Sequence, residues 1–348
     1  MISVQSPKVP QVSSVLHYLQ RIEASGKFTN FGPLERDLRV RFGEFFNVDS
    51  DQVALSANAT LALAGATAVV ETSTWIMPAF TFVATPHAIL LGGGRVEFAD
   101  IEMGSWSLRP SDMSGAGFVP VCPFGAAPDI TSWSSYEFVI HDAAASIGVQ
   151  PDLSRLPINH AVVFSLHATK VLGSGEGAVV IFGSVEDTQR FRAWTNFGFS
   201  GSRESRFQSA NAKMSEIQAA YVHAALDGWR REKEEWLEAR QLAQNLEIAH
   251  NLSPLLKNSN PVSPYWIVEF PTVLDCERFE HLMRNSGIET RRWWGQGCHR
   301  MPAFAHVKRS PLPVTTSIGS RYLGLPMARS YGSKQYDFIS QVLSVAAT

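Results

Sequence analysis

Two residues about 28 positions apart could do chemistry together: Asp142 and Lys170. Asp142 closes an apolar run, Val139-Ile140-His141-Asp142-Ala143-Ala144, that reads as a buried strand. A carboxylate there stands at the carboxyl end of a parallel sheet, where open α/β folds bind ligands. It could keep a heterocyclic nitrogen protonated; a helix N-cap would use the same residue type. Lys170 ends the segment Val163-Phe164-Ser165-Leu166-His167-Ala168-Thr169-Lys170, just ahead of Gly173-Ser174-Gly175-Glu176-Gly177. An amine partly withdrawn from water at such a place is nucleophilic and could condense with an aldehyde. A single lysine is more often a solvated surface group, but the order of Asp and Lys on consecutive strands favours the chemical reading of both.

An amine and a carboxylate flanking one flat, aldehyde-bearing ring is the arrangement that pyridoxal phosphate (PLP) requires. Three other segments fit around that ring. Ser56-Ala57-Asn58-Ala59-Thr60-Leu61-Ala62-Leu63 places small residues between a strand and a helix, where free N–H groups and the helix dipole favour a phosphate. It lacks the spacing of a nucleoside-triphosphate loop and would serve equally as a tight turn. Ser165 could donate to the same phosphate. Phe82, in Pro78-Ala79-Phe80-Thr81-Phe82-Val83-Ala84-Thr85, could stack on the ring or belong to the core. Asn211, in Asn211-Ala212-Lys213-Met214-Ser215-Glu216, precedes an amphipathic helix and by itself reads only as part of its cap.

These groups need an alternating scaffold, and the chain has one. Short apolar runs at 53–56, 75–77, 95–99, 117–121, 138–141, 161–166 and 178–182 read as strands. Helices are expected at 12–24, 34–46, 59–70, 81–91 and 214–249. The alternation predicts an α/β fold with a mostly parallel sheet between helical layers. After the long helix the pattern changes to a strand at 265–270, a helix at 275–286, a strand at 288–292 and a closing helix at 336–345. The expected division is a large domain, 1–230, and a smaller C-terminal α+β domain, 231–348.

The bulk composition narrows the function. The chain has 348 residues and a formal net charge of −2, which argues against nucleic acid or an anionic membrane as partner. Cys122, Cys276 and Cys298 have no metal-knuckle spacing and suggest reduced thiols, with no metal site. No apolar run approaches the roughly 20 residues of a membrane span, and no signal peptide is evident, so a cytoplasmic protein is expected.

Taken together, Thr29-Asn30-Phe31-Gly32-Pro33, the Ser56–Leu63 turn, Thr81–Thr85, Ser165–Lys170 with Gly175-Glu176-Gly177, and Leu323-Gly324-Leu325-Pro326 resemble the DegT/StrS family of sugar aminotransferases. The resemblance covers nearly the whole chain and implies the PLP-transferase fold of type I. It also implies roles by position. Lys170 would bond the cofactor aldehyde and carry protons, Asp142 would pair with the pyridinium, and Phe82 would stack on the ring. Ala59, Thr60 and Ser165 would hold the phosphate. Asn211 would reach the phosphate of a neighbouring subunit in a homodimer with shared sites.

The chain departs from the family pattern at four places: Ala59 for Gly, Ala145 for a Gln that contacts the ring hydroxyl, Lys213 for Arg and Ser209 for Gly. A lysine at 170 argues against the relatives that carry His there and dehydrate deoxysugars.

The implied reaction moves an amino group from an amino acid, L-glutamate, to the keto group of a nucleotide-linked sugar, a dTDP-4-keto-6-deoxy sugar. Deoxyamino-sugar, polysaccharide or O-antigen synthesis would be its setting. Asn30, His167, Trp293, Trp294 and His299 are candidate substrate contacts. The segment Arg291-Arg292-Trp293-Trp294 joins cations to flat rings and could meet a diphosphate and a base, or pack as an aromatic cluster. Rival readings are a PLP lyase or dehydratase of the same fold, and a PLP-binding regulator without catalysis.

Overall fold

The structure, a computed structural model, describes residues 1–70, 72–109, 116–257 and 262–346. Its strands are β1 (Val53–Ser56), β2 (Thr74–Pro78), β3 (Arg95–Ala99), β4 (Gly117–Phe118), β5 (Val139–Asp142), β6 (His160–Ser165), β7 (Ala178–Phe182), β8 (Ser253–Pro254), β9 (Trp266–Glu269), β10 (Lys308–Arg309) and β11 (Tyr322–Leu325). An eight-stranded sheet has the order β1-β7-β6-β5-β4-β2-β3-β10. Of these eight strands β7 alone runs against the other seven, so the sheet is mostly parallel, as expected. Every residue of β1, β5, β6 and β7 is buried, which is why these strands read as continuous apolar runs.

Helices cover both faces: α1 (Val12–Ser25), α2 (Pro33–Phe46), α3 (Ala59–Ala68), α4 (Ala84–Leu91), α5 (Ile130–Trp133), α6 (Val185–Trp194) and the 34-residue α7 (Glu216–Ala249). Val15, Phe42, Phe46, Phe164 and Val222 share one core cluster; Ala62, Trp75, Val163, Val180 and Phe191 share another on the opposite side of the sheet. The start of α7 is tied to the start of α2. Glu216, 1% exposed, accepts from the Leu34 and Glu35 N–H groups at 2.7 and 2.9 Å, filling two of the donors that a helix N-terminus leaves open.

The second sheet has the order β11-β9-β8. It packs with α8 (Val273–Asn285), α10 (Ser333–Ala346) and the distal part of α7 around Trp266, Val268, Phe279 and Ile339. β10 crosses back to pair with β3 of the large sheet, and Asp100 after β3 accepts from Val314 and Thr315 at the start of α9 (Pro313–Ile318). The C-terminal third therefore grips the large sheet at two places.

Several boundaries differ from the sequence reading. The expected strand 288–292 is absent as an element; Ile288 makes one bridge to Ile2 and Arg291 one to Gly324. The chain here follows the N-terminal segment at one end and β11 at the other, so neither pairing extends. The expected helix 81–91 begins only at Ala84, with Val83 at its N-cap. Strand 117–121 shortens to β4 plus a bridge from Val121 to Asp142. No helix among the described residues is long and apolar enough to cross a membrane.

Candidate active site

β5 and β6 are adjacent and parallel, with Asp142 opposite Val163. Their carboxyl ends therefore open at one level. Beyond Ser165 the chain makes a compact turn into the antiparallel β7. Leu166 and Ala168 donate to the carbonyls of Gly177 and Gly175 at 2.9 and 2.8 Å. Gly175 has φ 107°, a region that L side chains rarely enter, and this lets the turn fold back on itself. Lys170 sits on that turn, its N–H bonded to the His167 carbonyl.

Asp142 and Lys170 line one cavity of about 640 Å³, a size that suits a cofactor with part of a substrate. Asp142 is 7% exposed. Its Oδ2 accepts from the Thr85 hydroxyl at 2.7 Å and its Oδ1 from the Ala144 N–H at 3.2 Å. Since the Thr85 proton is spent on the carboxylate, Thr81, 2.8 Å behind, is the donor to Thr85. Burial raises the Asp142 pKa above its ordinary value, while those bonds and the charge of Lys170 pull it back. A buried carboxylate in this condition calls for a cation beside it, and a protonated ring nitrogen supplies one. Lys170 Nζ donates to the Tyr265 hydroxyl at 2.9 Å.

The other cradle residues line the same cavity. Asn58 caps α3 by accepting from Leu61 N–H at 2.9 Å, leaving the Ala59 and Thr60 N–H groups of the first turn without a protein acceptor among the described residues. Ser165 Oγ accepts from His167 N–H at 3.2 Å and keeps its own proton to donate. These donors could hold a phosphate. Phe82 is 55% exposed and lends its ring to the cavity wall. The residues present thus fit PLP: a carboxylate, an amine, a ring face and an anion cradle around one space.

Of the candidate substrate contacts, His167, Trp293 and Trp294 line the cavity and Asn30 and His299 do not. Asn30 is exposed, with φ 62°. His299 is buried, its pKa lowered by that burial. The ring lies near Gly297, against the chain that follows the tryptophans. Asn211 lies outside its own chain's cavity and accepts from Lys213 Nζ at 2.7 Å. His167 Nδ1 accepts from the Thr169 N–H at 3.2 Å, so Nε2 carries the proton and faces Glu176 Oε1 at 3.7 Å. Trp294 stacks on Phe124 at 4.3 Å, and the Arg291 guanidinium lies over Trp293 at 4.8 Å. The aromatic cluster and the cation are therefore both present in that segment, with Arg291 also paired to Glu289 Oε1 at 2.7 Å.

Among the lining or supporting residues not assigned from sequence are Tyr265, Thr85, Gln5 and Glu176. Thr85 carried a signal, four residues after Thr81 in a segment already singled out. Nothing in linear spacing tied residues 5 or 265 to Lys170.

Residues 11–344 match the DegT/DnrJ/EryC1/StrS aminotransferase family. The chain belongs to this family. Its enzyme class is therefore aminotransferase and its cofactor is PLP. Among relatives, it is 26% identical over 97% of both chains to a dTDP-4-amino-4,6-dideoxy-D-glucose transaminase of Shigella dysenteriae. The structure of DesI in the presence of its TDP-sugar product superposes with a TM-score of 0.86 at 26% identity, covering 100% of this chain and 93% of that one. A protein of Bacillus cereus ATCC 10987 shares the fold at a TM-score of 0.90 and 24% identity, with both chains covered in full.

Proposed function

We propose that this aminotransferase moves an amino group from L-glutamate to the keto carbon of a nucleotide-linked sugar, a dTDP-4-keto-6-deoxy sugar. The observation that carries the reading is the convergence of Lys170 and Asp142 on one cavity. The similarity to a dTDP-sugar transaminase and to DesI supports the substrate class. PLP, when bound, supplies the electron sink that makes a carbon–hydrogen bond next to nitrogen acidic.

The chain does the rest. Asp142, as a carboxylate, would face the ring nitrogen and keep that nitrogen protonated. Ala59, Thr60 and Ser165 would hold the phosphate, and Phe82 would offer its ring face to the cofactor. Lys170 Nζ would hold the cofactor aldehyde and is the general base. It takes the proton from the donor's α-carbon and delivers one to the sugar carbon in the second half of the cycle. Arg291 and Trp293 at the rim would meet the diphosphate and the base. We further infer a cytoplasmic homodimer in which Asn211 serves the neighbouring subunit's site, with 1–230 as the cofactor-holding unit and 231–348 as the smaller one.

The test is a two-step incubation. Glutamate should release 2-oxoglutarate and bleach the long-wavelength band of the loaded protein. A panel of 3-keto and 4-keto nucleotide sugars is then added, and the 4-keto dTDP sugar should restore the band. A spectrum indifferent to glutamate would reject the donor; recovery with only a 3-keto sugar would move the site of amination. Lys170→Ala should lack the band from the outset.

A further inference from the structure

Tyr265 precedes β9 and so belongs to the chain's second sheet, yet its hydroxyl ends at Lys170 of the large sheet's turn. Three contacts fix the ring. Trp293 meets it edge-on at 5.1 Å and Phe124 at 5.7 Å. Its own backbone N–H donates at 3.3 Å to Ser263 Oγ, which in turn donates to the Phe124 carbonyl at 2.7 Å. The hydroxyl therefore has a defined position, while the lysine opposite it has a long, flexible stem.

We propose that Tyr265 is a positioning residue that keeps the Lys170 amine aimed into the cavity through both of its protonation states. The inference rests on the reading of Lys170 as the reactive amine. A phenol is both donor and acceptor. Towards the ammonium its oxygen accepts, as in the 2.9 Å contact seen here; towards the neutral amine it turns and donates to the nitrogen lone pair. Lys170 can gain a proton from one carbon and give it to another without losing its partner. The hydroxyl only rotates, and no proton is left on it or taken from it over the cycle. A phenylalanine would keep the ring contacts and provide neither bond.

The experiment compares wild type, Tyr265→Phe and Lys170→Ala, with and without cofactor. In the cofactor-free protein, a short pulse of acetic anhydride followed by mass spectrometry reads the labelling of Lys170 against exposed Lys308. Either form of the bond shields the nitrogen, so Tyr265→Phe should label several-fold faster at Lys170 alone. In the loaded protein, kcat of the glutamate half-reaction should fall about tenfold or more with KM little changed, as expected when a reacting group is misaimed. Thermal melting checks that the variant is folded. Unchanged labelling of Lys170 in a folded Tyr265→Phe protein overturns the proposal, as does a full kcat. If Lys170→Ala keeps the long-wavelength band, the lysine reading itself fails and takes this one with it. Loss of that band beside a wild-type-like Tyr265→Phe sinks only the role of Tyr265.

Discussion

The Thr85 hydroxyl lies 2.7 Å from Asp142 Oδ2 and is backed by Thr81 at 2.8 Å. The carboxylate at the cavity floor is thus held by a chain of two hydroxyls. Hydrogen bonds to a charged group are worth about 1.5–3 kcal/mol, and this pair is buried. Thr85→Val keeps the volume and removes the donor. Its expected effect is a loss of PLP affinity of about tenfold or more, read by absorbance titration. An unchanged Kd would mean that Asp142 does not depend on this bond.

Asp142→Asn separates what the carboxylate does for the cofactor from what it costs the empty protein. Burial raises the Asp142 pKa, so the folded chain holds that proton more tightly than the unfolded one. The stability this gives is present at pH below the unfolded carboxylate value and is lost as pH rises through the folded value. The neutral amide of the variant carries no such penalty. The cofactor-free variant should therefore lose less stability than wild type between pH ~4 and ~7, while its PLP affinity drops. Parallel melting curves for the two proteins across that range would contradict the raised value.

How much of this was legible in the sequence follows from what each feature depends on. β5 and β6 are buried on both faces, so their apolar runs announced them, and the residues ending those runs had to meet at one edge of the sheet. Lys170, Asp142 and the Ala59–Thr60 turn were readable for that reason. Tyr265 and Gln5 reach the same cavity from other layers, and their approach depends on how the second sheet and the N-terminal segment dock. The strand expected at 288–292 failed on the same account. Its composition suits a strand, but its partners are single residues from two different segments.

Glu216 offers a test of the fold apart from the cavity. Its carboxylate fills two N–H groups at the start of α2, and no water can reach them where Glu216 is 1% exposed. Glu216→Ala leaves both donors buried without a partner, at a cost of about 2–4 kcal/mol. Urea unfolding should show the midpoint falling with little change in slope. Glu216→Gln retains one acceptor oxygen and should recover part of the loss. Equal midpoints for wild type and Glu216→Ala would show that the helix start finds other acceptors.

Gln5 brings the N-terminal segment into the site. That segment is fastened to the C-terminal part of the chain: Val4 N–H donates to Glu289 Oε2 at 2.9 Å, Tyr331 donates its hydroxyl to the Ser3 carbonyl at 2.6 Å, and Arg329 donates to the Lys8 carbonyl at 3.1 Å. Gln5 lies between these anchors and lines the cavity, with its Nε2 buried and without an acceptor. An unmet buried donor costs about 1–3 kcal/mol, a cost that a substrate oxygen placed there would relieve. Gln5→Ala removes both the cost and the contact. The variant should melt no lower than wild type, yet show KM for one of the two substrates raised about five- to tenfold, with kcat close to unchanged, since a uniform binding contact is lost. Steady-state kinetics with each substrate varied in turn identifies which one Gln5 serves. A variant with both KM values intact would leave the amide with a purely structural place in the strap.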